Sequence, residues 1–261
     1  MGVFHAVIAA LLAIAFYLAV RFIRSPIWKQ RQLRKASIMA ARGDIEGMIG
    51  YLGRNRNRSS VSCPLSNALI YFLIRAGRFD EAEALILEAI EKGDSSGTAI
   101  AQLGFVSGGR GESRSAEEFY RRAIEKDESL KPSLNSNIAA LLIESGERLD
   151  EAEALLREAL DGREGVARSG IHVNLALLHM KRSEPRDALV QALTGYELMP
   201  GADFTRLSRA QALAIAARAY QSLGDGAESS KMAGKALKLL KGLPGTEKLA
   251  SELGHLSEGG S

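Results

Sequence analysis

The chain has 261 residues, of which 46% are hydrophobic and 25% are charged, and this composition excludes wholesale disorder. Long alternation of β-branched and polar residues is hard to find, which disfavours a sheet protein, and the single cysteine excludes an internal disulfide. The net charge of +3 is unevenly placed, because residues 1–60 carry ten Lys and Arg against two acids.

The first predicted element is an apolar helix from Phe4 to Ile23. Its length is about 30 Å at roughly 1.5 Å per residue, which matches the hydrocarbon core of a bilayer. No Lys or Arg precedes the apolar run, so an uncleaved anchor is favoured over a secretory signal peptide. Residues 1–25 are therefore predicted to form a single transmembrane anchor.

Basic and aromatic residues follow this anchor directly. By the positive-inside rule they place the rest of the chain in the cytoplasm, which predicts a single-pass membrane protein. The same cluster would also be able to contact anionic lipid, and a role in topology alone remains the alternative. The membrane-flanking residues are Arg21, Arg24, Trp28, Lys29, Arg31, Arg34 and Lys35.

Residues 26–62 are predicted to form a basic juxtamembrane segment and a degenerate capping hairpin. The hairpin spans Lys35–Leu52 with Gly43 at its turn, and Arg54–Ser60 is expected to be an exposed basic loop.

A sequence motif, which we call the phrase, then recurs along the chain. RFDEAEALILEAI (78–90) and RLDEAEALLREAL (148–160) are seventy residues apart, and SRSAEEFYRRAIEKD (113–127) lies between them, so the period is about 35 residues. Each copy places two alanines and one large residue on a single helix face. The triplets are Ala82/Ile86/Ala89, Ala116/Tyr120/Ala123 and Ala152/Leu156/Ala159.

A second apolar helix precedes each phrase, and glycines are expected to end it at Gly77, at Gly108/Gly109 and at Gly146. The unit is therefore a helix–turn–helix hairpin. One hairpin cannot bury its apolar stripes alone, so neighbouring hairpins must stack.

These units resemble tetratricopeptide repeats (TPRs). Leu103-Gly104 and Ile138-Ala139 match the large–small pair of the first helix, and two further units follow, although Gly195 replaces an expected alanine in the fourth. The resemblance implies an all-α, right-handed α-solenoid of about five units over residues 63–241. Residues 242–261 are expected to be a capping helix and a flexible tail.

The sequence holds no recognisable catalytic motif, which predicts that the protein is not an enzyme and has no cofactor. His172 and His179 share a helix face, but further metal ligands are not apparent, so no metal site is predicted. Nucleic-acid binding is disfavoured, because the basic residues 54–58 lack interleaved aromatics.

The resemblance also implies that the first helices line an inner groove. An asparagine there can hydrogen-bond the backbone of a bound peptide, but Asn137 and Asn174 can equally cap or bridge adjacent helices. The partner-binding candidates are Asn67, Tyr71, Ile74, Phe105, Asn137, Ala140, Val173, Asn174, Met180 and Arg218.

The sequence thus predicts a membrane-tethered TPR adaptor or scaffold that binds a protein or peptide in its groove at the cytoplasmic face. The alternative is a single-span repeat protein that faces the periplasm or outside and assists secretion or envelope assembly. The partner and the oligomeric state do not follow from the sequence.

Overall fold

The computed structural model describes residues 26–41, 44–56, 60–161, 165–202, 205–243 and 245–258. Within these ranges the chain forms thirteen α-helices and one short 3-10 turn and contains no β-strand, so the predicted all-α class is confirmed. The helices are α1 (Pro26–Ala41), α2 (Ile45–Asn55), α3 (Pro64–Arg75), α4 (Phe79–Glu91), α5 (Gly97–Gly109), α6 (Ser113–Lys126), α7 (Lys131–Ser145), α8 (Leu149–Leu160), α9 (Gly165–Lys181), α10 (Pro185–Leu198), α11 (Arg206–Ser222), α12 (Gly226–Leu240) and α13 (Glu247–Glu258).

Five helical hairpins occupy the positions of the five predicted repeats. They pair α3 with α4, α5 with α6, α7 with α8, α9 with α10, and α11 with α12. Left-handed residues close the first and third turns, at Gly77 (φ 72°) and Gly146 (φ 75°), as the sequence predicts. Glycine adopts this conformation without the steric cost that a side chain would add.

The predicted end of α5 at Gly108 and Gly109 agrees with the helix limit, since Gly109 is its last residue, but neither glycine has the expected left-handed conformation. Both glycines lie inside α5, and the left-handed residue of this turn is Gly111, with φ 81°. Gly109 instead allows a close approach, because a Cβ atom at this position would collide with the ring of Phe79. The left-handed residue of the second turn therefore lies two positions after the last predicted glycine, Gly109.

The repeated alanine phrases form the buried faces of α4, α6 and α8. The six alanines of the three triplets are at most 1% exposed, and Ile86 and Leu156 are fully buried between them. Tyr120 takes the central position in α6 and is 4% exposed. The predicted one-face arrangement is therefore present in all three phrases.

The chain divides into two compact units, residues 1–127 and 128–261. We refer to them as the N-terminal and C-terminal units. The division falls inside the segment 63–241, which the sequence presents as one run of repeats. The predicted domain limits stay a prediction.

Each unit has a hydrophobic core of its own. In the N-terminal unit the core extends from Ala36 of α1 and Leu52 of α2 to Val106 of α5. In the C-terminal unit every residue from Ala212 to Ala217 in the middle of α11 is buried, and Leu253 of α13 is 1% exposed against the same core.

The expectation of an exposed basic loop at Arg54–Ser60 is wrong at its start. Arg54 lies in the last turn of α2, and Arg56 forms an ion pair with Glu88 of α4, with only 8% of its side chain exposed. Hydrogen bonds from Lys92 and Arg56 lower the pKa of Glu88 to about 2. Residues 57–59 lie outside the described residues.

The predicted transmembrane segment 1–25 also lies outside the described residues. In the part of the chain that the structure describes, none of the helices combines the length and apolar character needed to cross a bilayer.

Candidate partner-binding site

The first helices of three successive hairpins line a cleft in the C-terminal unit. These helices are α7, α9 and α11, and the cleft has a volume of about 340 Å³. Among the described residues, its lining carries no charged side chain and mixes small apolar with neutral polar groups. The lining residues are Pro132, Ser133, Ser136, Asn137, Ala167, Gly170, Ile171, Val173, Asn174, Ser208 and Gln211.

Three of the predicted groove residues meet in this cleft: Asn137 of α7 and Val173 and Asn174 of α9. Other polar residues of the lining, such as Ser133, Ser208 and Gln211, were not predicted. Ser133 lies four residues before Asn137, and Gln211 lies seven before Arg218 with Ser208 one turn earlier, so helical periodicity from the predicted positions could have found them.

The two cleft asparagines have different environments. Nδ2 of Asn174 donates to Oγ of Ser136 at 3.1 Å and lies 3.3 Å from the carbonyl oxygen of Ser136, so Asn174 bridges α9 and α7. The side-chain amide of Asn137 is half-buried and forms no hydrogen bond with the described residues. Of the two roles that the sequence leaves open, Asn174 therefore has a bridging role, and Asn137 retains both a donor and an acceptor.

The other predicted groove residues of the C-terminal unit lie outside the lining of this cleft. Ala140 is half-buried, and Met180 packs against the core of the unit. Arg218 of α11 donates two hydrogen bonds, of 2.7 and 2.8 Å, to the carboxylate of Glu252 in α13. Its guanidinium group is thus paired with a carboxylate inside the protein.

In the N-terminal unit the four predicted residues divide between core and surface. Oδ1 of Asn67 accepts a hydrogen bond of 2.9 Å from Gln102, which links α3 to α5. Ile74 packs on the core, and the ring of Phe105 packs edge-on against that of Tyr120, with 5.2 Å between centroids. Tyr71 is 54% exposed and is therefore the large side chain of this group that is open to contact.

The predicted membrane-flanking residues lie only partly within the described residues. Arg21 and Arg24 lie outside the described residues. The remaining five are on α1, which packs against the N-terminal core through Trp28, Leu33, Ala36 and Met39.

The acids of the repeated phrase have partners in the next hairpin. Arg110, just after α5, donates to Asp80 and Glu83 of α4 at 2.7 Å. In the C-terminal unit Arg182, just after α9, pairs in the same way with Asp150 and with Glu153, the latter at 2.6 Å.

These contacts change the electrostatics of the acids. The hydrogen bond from Arg182 lowers the pKa of Glu153, whose side chain is 16% exposed. The phrase DEAEA therefore supplies anchors between hairpins as well as a buried alanine face.

The structure places two carboxylates near His179, one of the two histidines that share a helix face. His179, Glu184 and Asp187 place potential ligand atoms within 4.8 Å of one another. Nδ1 of His179 lies 2.7 Å from Oε2 of Glu184, which is a hydrogen-bond distance, and this contact accounts for the pair without an ion.

No protein-family model matches the sequence, and no curated protein matches it significantly. Solved structures do resemble it. One is a chain of the crystal structure of the APC/C hetero-tetramer Cut9–Hcn1, with a TM-score of 0.64 and 13% identity over 91% of this chain and 45% of that chain.

Two further solved structures that resemble the chain have tetratricopeptide repeats in their descriptions. One is a STAND ATPase from Pyrococcus horikoshii with a tetratricopeptide repeat sensor (TM-score 0.63, 17% identity, 92% of this chain and 38% of that chain). The other is a thermophilic TPR protein from Thermus thermophilus (TM-score 0.57, 17% identity, 72% of this chain and 95% of that chain). Together these likenesses show that the chain has the tetratricopeptide-repeat fold.

Proposed function

We propose that this protein is a membrane-tethered adaptor or scaffold. An N-terminal transmembrane helix holds it at the cytoplasmic face, and its repeats bind a protein or peptide partner. The proposal is for a binding protein rather than an enzyme.

The cleft between α7, α9 and α11 carries this proposal. Its polar groups are hydroxyls and carboxamides, which can pair with the N–H and C=O groups of a peptide main chain without a charged partner. Its volume of about 340 Å³ is at the lower end of the range for ligand pockets. An extended segment with small, uncharged side chains would therefore fit it best.

Asn137 is the expected centre of recognition. Its carboxamide is half-buried and open to a ligand, whereas that of Asn174 is already bonded to α7. A half-buried amide forms fewer hydrogen bonds with water than an exposed one. A peptide that supplies both a donor and an acceptor therefore gains the most binding free energy there.

The similar structures are consistent with such a role. Cut9 and Hcn1 are described as partners in a hetero-tetramer, and the Pyrococcus protein uses its repeats as a sensor. For the present chain, protein binding through the same fold is an extension of these descriptions.

The topology rests on the basic residues after the apolar segment. Protease added to sealed spheroplasts tests it directly, because a cytoplasmic repeat domain is protected and an outward-facing one is cut. Cleavage in sealed spheroplasts would favour the alternative, in which the repeats face outside and assist secretion or envelope assembly.

Site-specific photo-crosslinking in native membranes tests the cleft. The crosslinker p-benzoylphenylalanine is placed at Gln211, which lines the cleft, and in a matched protein at Gln221 of the same helix, which lies outside the lining. We expect an adduct of defined mass from position 211 that is weaker or absent from position 221. Equal adducts from both positions, or none from 211, would contradict recognition in the cleft.

The Asn137→Ala variant gives a second measurement. It should reduce the adduct at position 211, while Asn55→Ala, an exchange of the same type in α2, should leave it unchanged.

A further inference from the structure

Helix α1 has two different faces. Trp28, Leu33, Ala36 and Met39 pack against the N-terminal core. Ile27, Arg31, Arg34 and Ile38 follow the spacing i, i+4, i+7 and i+11, which places them within a sector of about 60° on the opposite side. The outer face is thus made of two isoleucines and two arginines.

The isoleucines of this face are unusually open to solvent. Ile27 is 62% exposed and Ile38 is 46% exposed, and at a rise of about 1.5 Å per residue they lie roughly 16 Å apart along the helix. Large apolar side chains this exposed, on a face with cations between them, are typical of helices that lie in a membrane interface.

The charge on α1 has one sign. The helix carries Lys29, Arg31, Arg34 and Lys35 and no acid. Lys29, Arg31 and Arg34 form no ion pair with the described residues, while Nζ of Lys35 lies 4.7 Å from the ring centroid of Tyr51. The two outer arginines are therefore available to an external anion.

We propose that the outer face of α1 lies on an anionic lipid surface. Arg31 and Arg34 contact lipid headgroups, and Ile27 and Ile38 enter the boundary between headgroups and acyl chains. This inference deepens the membrane part of the proposed function and is independent of the cleft. It goes beyond tethering, because it orients the N-terminal unit against the bilayer.

The chemistry of this face favours lipid over single-stranded nucleic acid. Nucleic-acid grooves combine cations with aromatic rings on which bases stack. The only aromatic residue of α1 is Trp28, and it packs against the core, whereas isoleucine offers a base no ring.

The test uses the full chain reconstituted in lipid nanodiscs. Cys63 is replaced by Ser, and a polarity-sensitive fluorophore is attached through Gln30→Cys, an exposed position beside the proposed contact. Emission is compared between discs of phosphatidylcholine alone and discs with about 30 mol% phosphatidylglycerol. We expect emission at shorter wavelength in the anionic discs, and loss of the shift in about 0.5 M salt.

Two matched double variants locate the contact. Each cation near an anionic surface changes the ratio of docked to undocked α1 about five-fold, so R31Q/R34Q should lower it roughly thirty-fold and abolish the shift. R54Q/R75Q removes the same charge from exposed positions on α2 and α3 and should retain the shift. Both variants should melt at the wild-type temperature, because none of these four side chains is buried.

Three results would overturn the inference. They are equal emission in neutral and anionic discs, an unchanged shift in R31Q/R34Q, and the same shift on addition of single-stranded RNA to protein in neutral discs. Co-purification with neutral discs measures the anchor of the proposed function separately. The anchor and the lipid contact of α1 can therefore fail independently.

Discussion

Two glycines of α5 give opposite predictions when each is replaced by alanine. A Cβ atom at Gly104 would lie 2.6 Å from Cε1 and 2.7 Å from Cδ1 of Tyr120, and 3.2 Å from the carbonyl oxygen of Ala116. A Cβ atom at Gly108, one turn later, would lie 3.7 Å from Cβ of Ala116 and 3.8 Å from Oη of Tyr120, which are ordinary contacts.

The difference between the two variants follows from these distances. Overpacking a core typically costs about 1–3 kcal/mol, and exchanging Gly for Ala in a helix gains up to about 1 kcal/mol. Tyr120 is hindered from moving away, because its ring already packs edge-on against Phe105. We therefore expect Gly104→Ala to lose a net 1–2 kcal/mol, roughly, and Gly108→Ala to gain about 0.5 kcal/mol.

Urea titration of the purified full chain, followed by far-ultraviolet circular dichroism, measures both values. The two variants share a helix, a substitution and a neighbouring ring, so the difference between them isolates the contact of Gly104 with Tyr120. A Gly104→Ala protein as stable as wild type, or equal losses in the two variants, would refute the close packing of α5 on α6.

Three other predictions follow from the packing and the ion pairs. Arg182→Gln should lower the free energy of unfolding by about 1–2 kcal/mol, because Glu153 loses a charged hydrogen bond. Arg157→Gln, on the exposed side of the same carboxylate, should lower it by less than about 0.5 kcal/mol. Equal losses in urea titrations of the two variants would contradict this difference. Burial raises the pKa of Tyr120, so its contribution to stability is complete below about pH 10 and is lost as the pH rises further. In Tyr120→Phe the melting temperature should therefore fall less steeply at alkaline pH. A fall as steep as in the wild type would contradict a role for the ionisation of Tyr120. Leu253→Ala should cost about 2–5 kcal/mol by leaving a cavity under α13, and an unchanged urea midpoint would exclude that packing.

The repeat period and the buried alanine triplets could be predicted because they are properties of one helix face. Spacing of three and four residues determines which side chains share that face, whatever the neighbouring helix is. The triplet Ala152/Leu156/Ala159 is fully buried as expected.

Contacts between helices could not be predicted in this way. The sequence marks Gly195 as a departure from the repeat pattern, and only the structure gives the reason: a Cβ atom there would lie 3.0 Å from the carbonyl oxygen of Ser169 and 3.1 Å from Cγ2 of Val173. Glycine thus replaces alanine at position 195 because α10 approaches α9 closely there.

The candidate site shows the same limit. Val173 and Asn174 were predicted because the resemblance to tetratricopeptide repeats places the first helices along a groove, but a serine such as Ser133 has the same appearance in a cleft and on an open surface. The bridge from Asn174 to Ser136 depends on the distance between α9 and α7, which spacing along the chain does not contain.

The links between hairpins also bear on how the protein is made. Arg110 is 30 residues from Asp80, and Arg182 is 32 residues from Asp150, so each clamp joins segments that leave the ribosome within seconds of each other at about 5–20 residues per second. Contacts of such short range favour rapid folding. Within each unit a hairpin can dock on its predecessor during synthesis, and the N-terminal unit can become compact before the C-terminal unit has been translated.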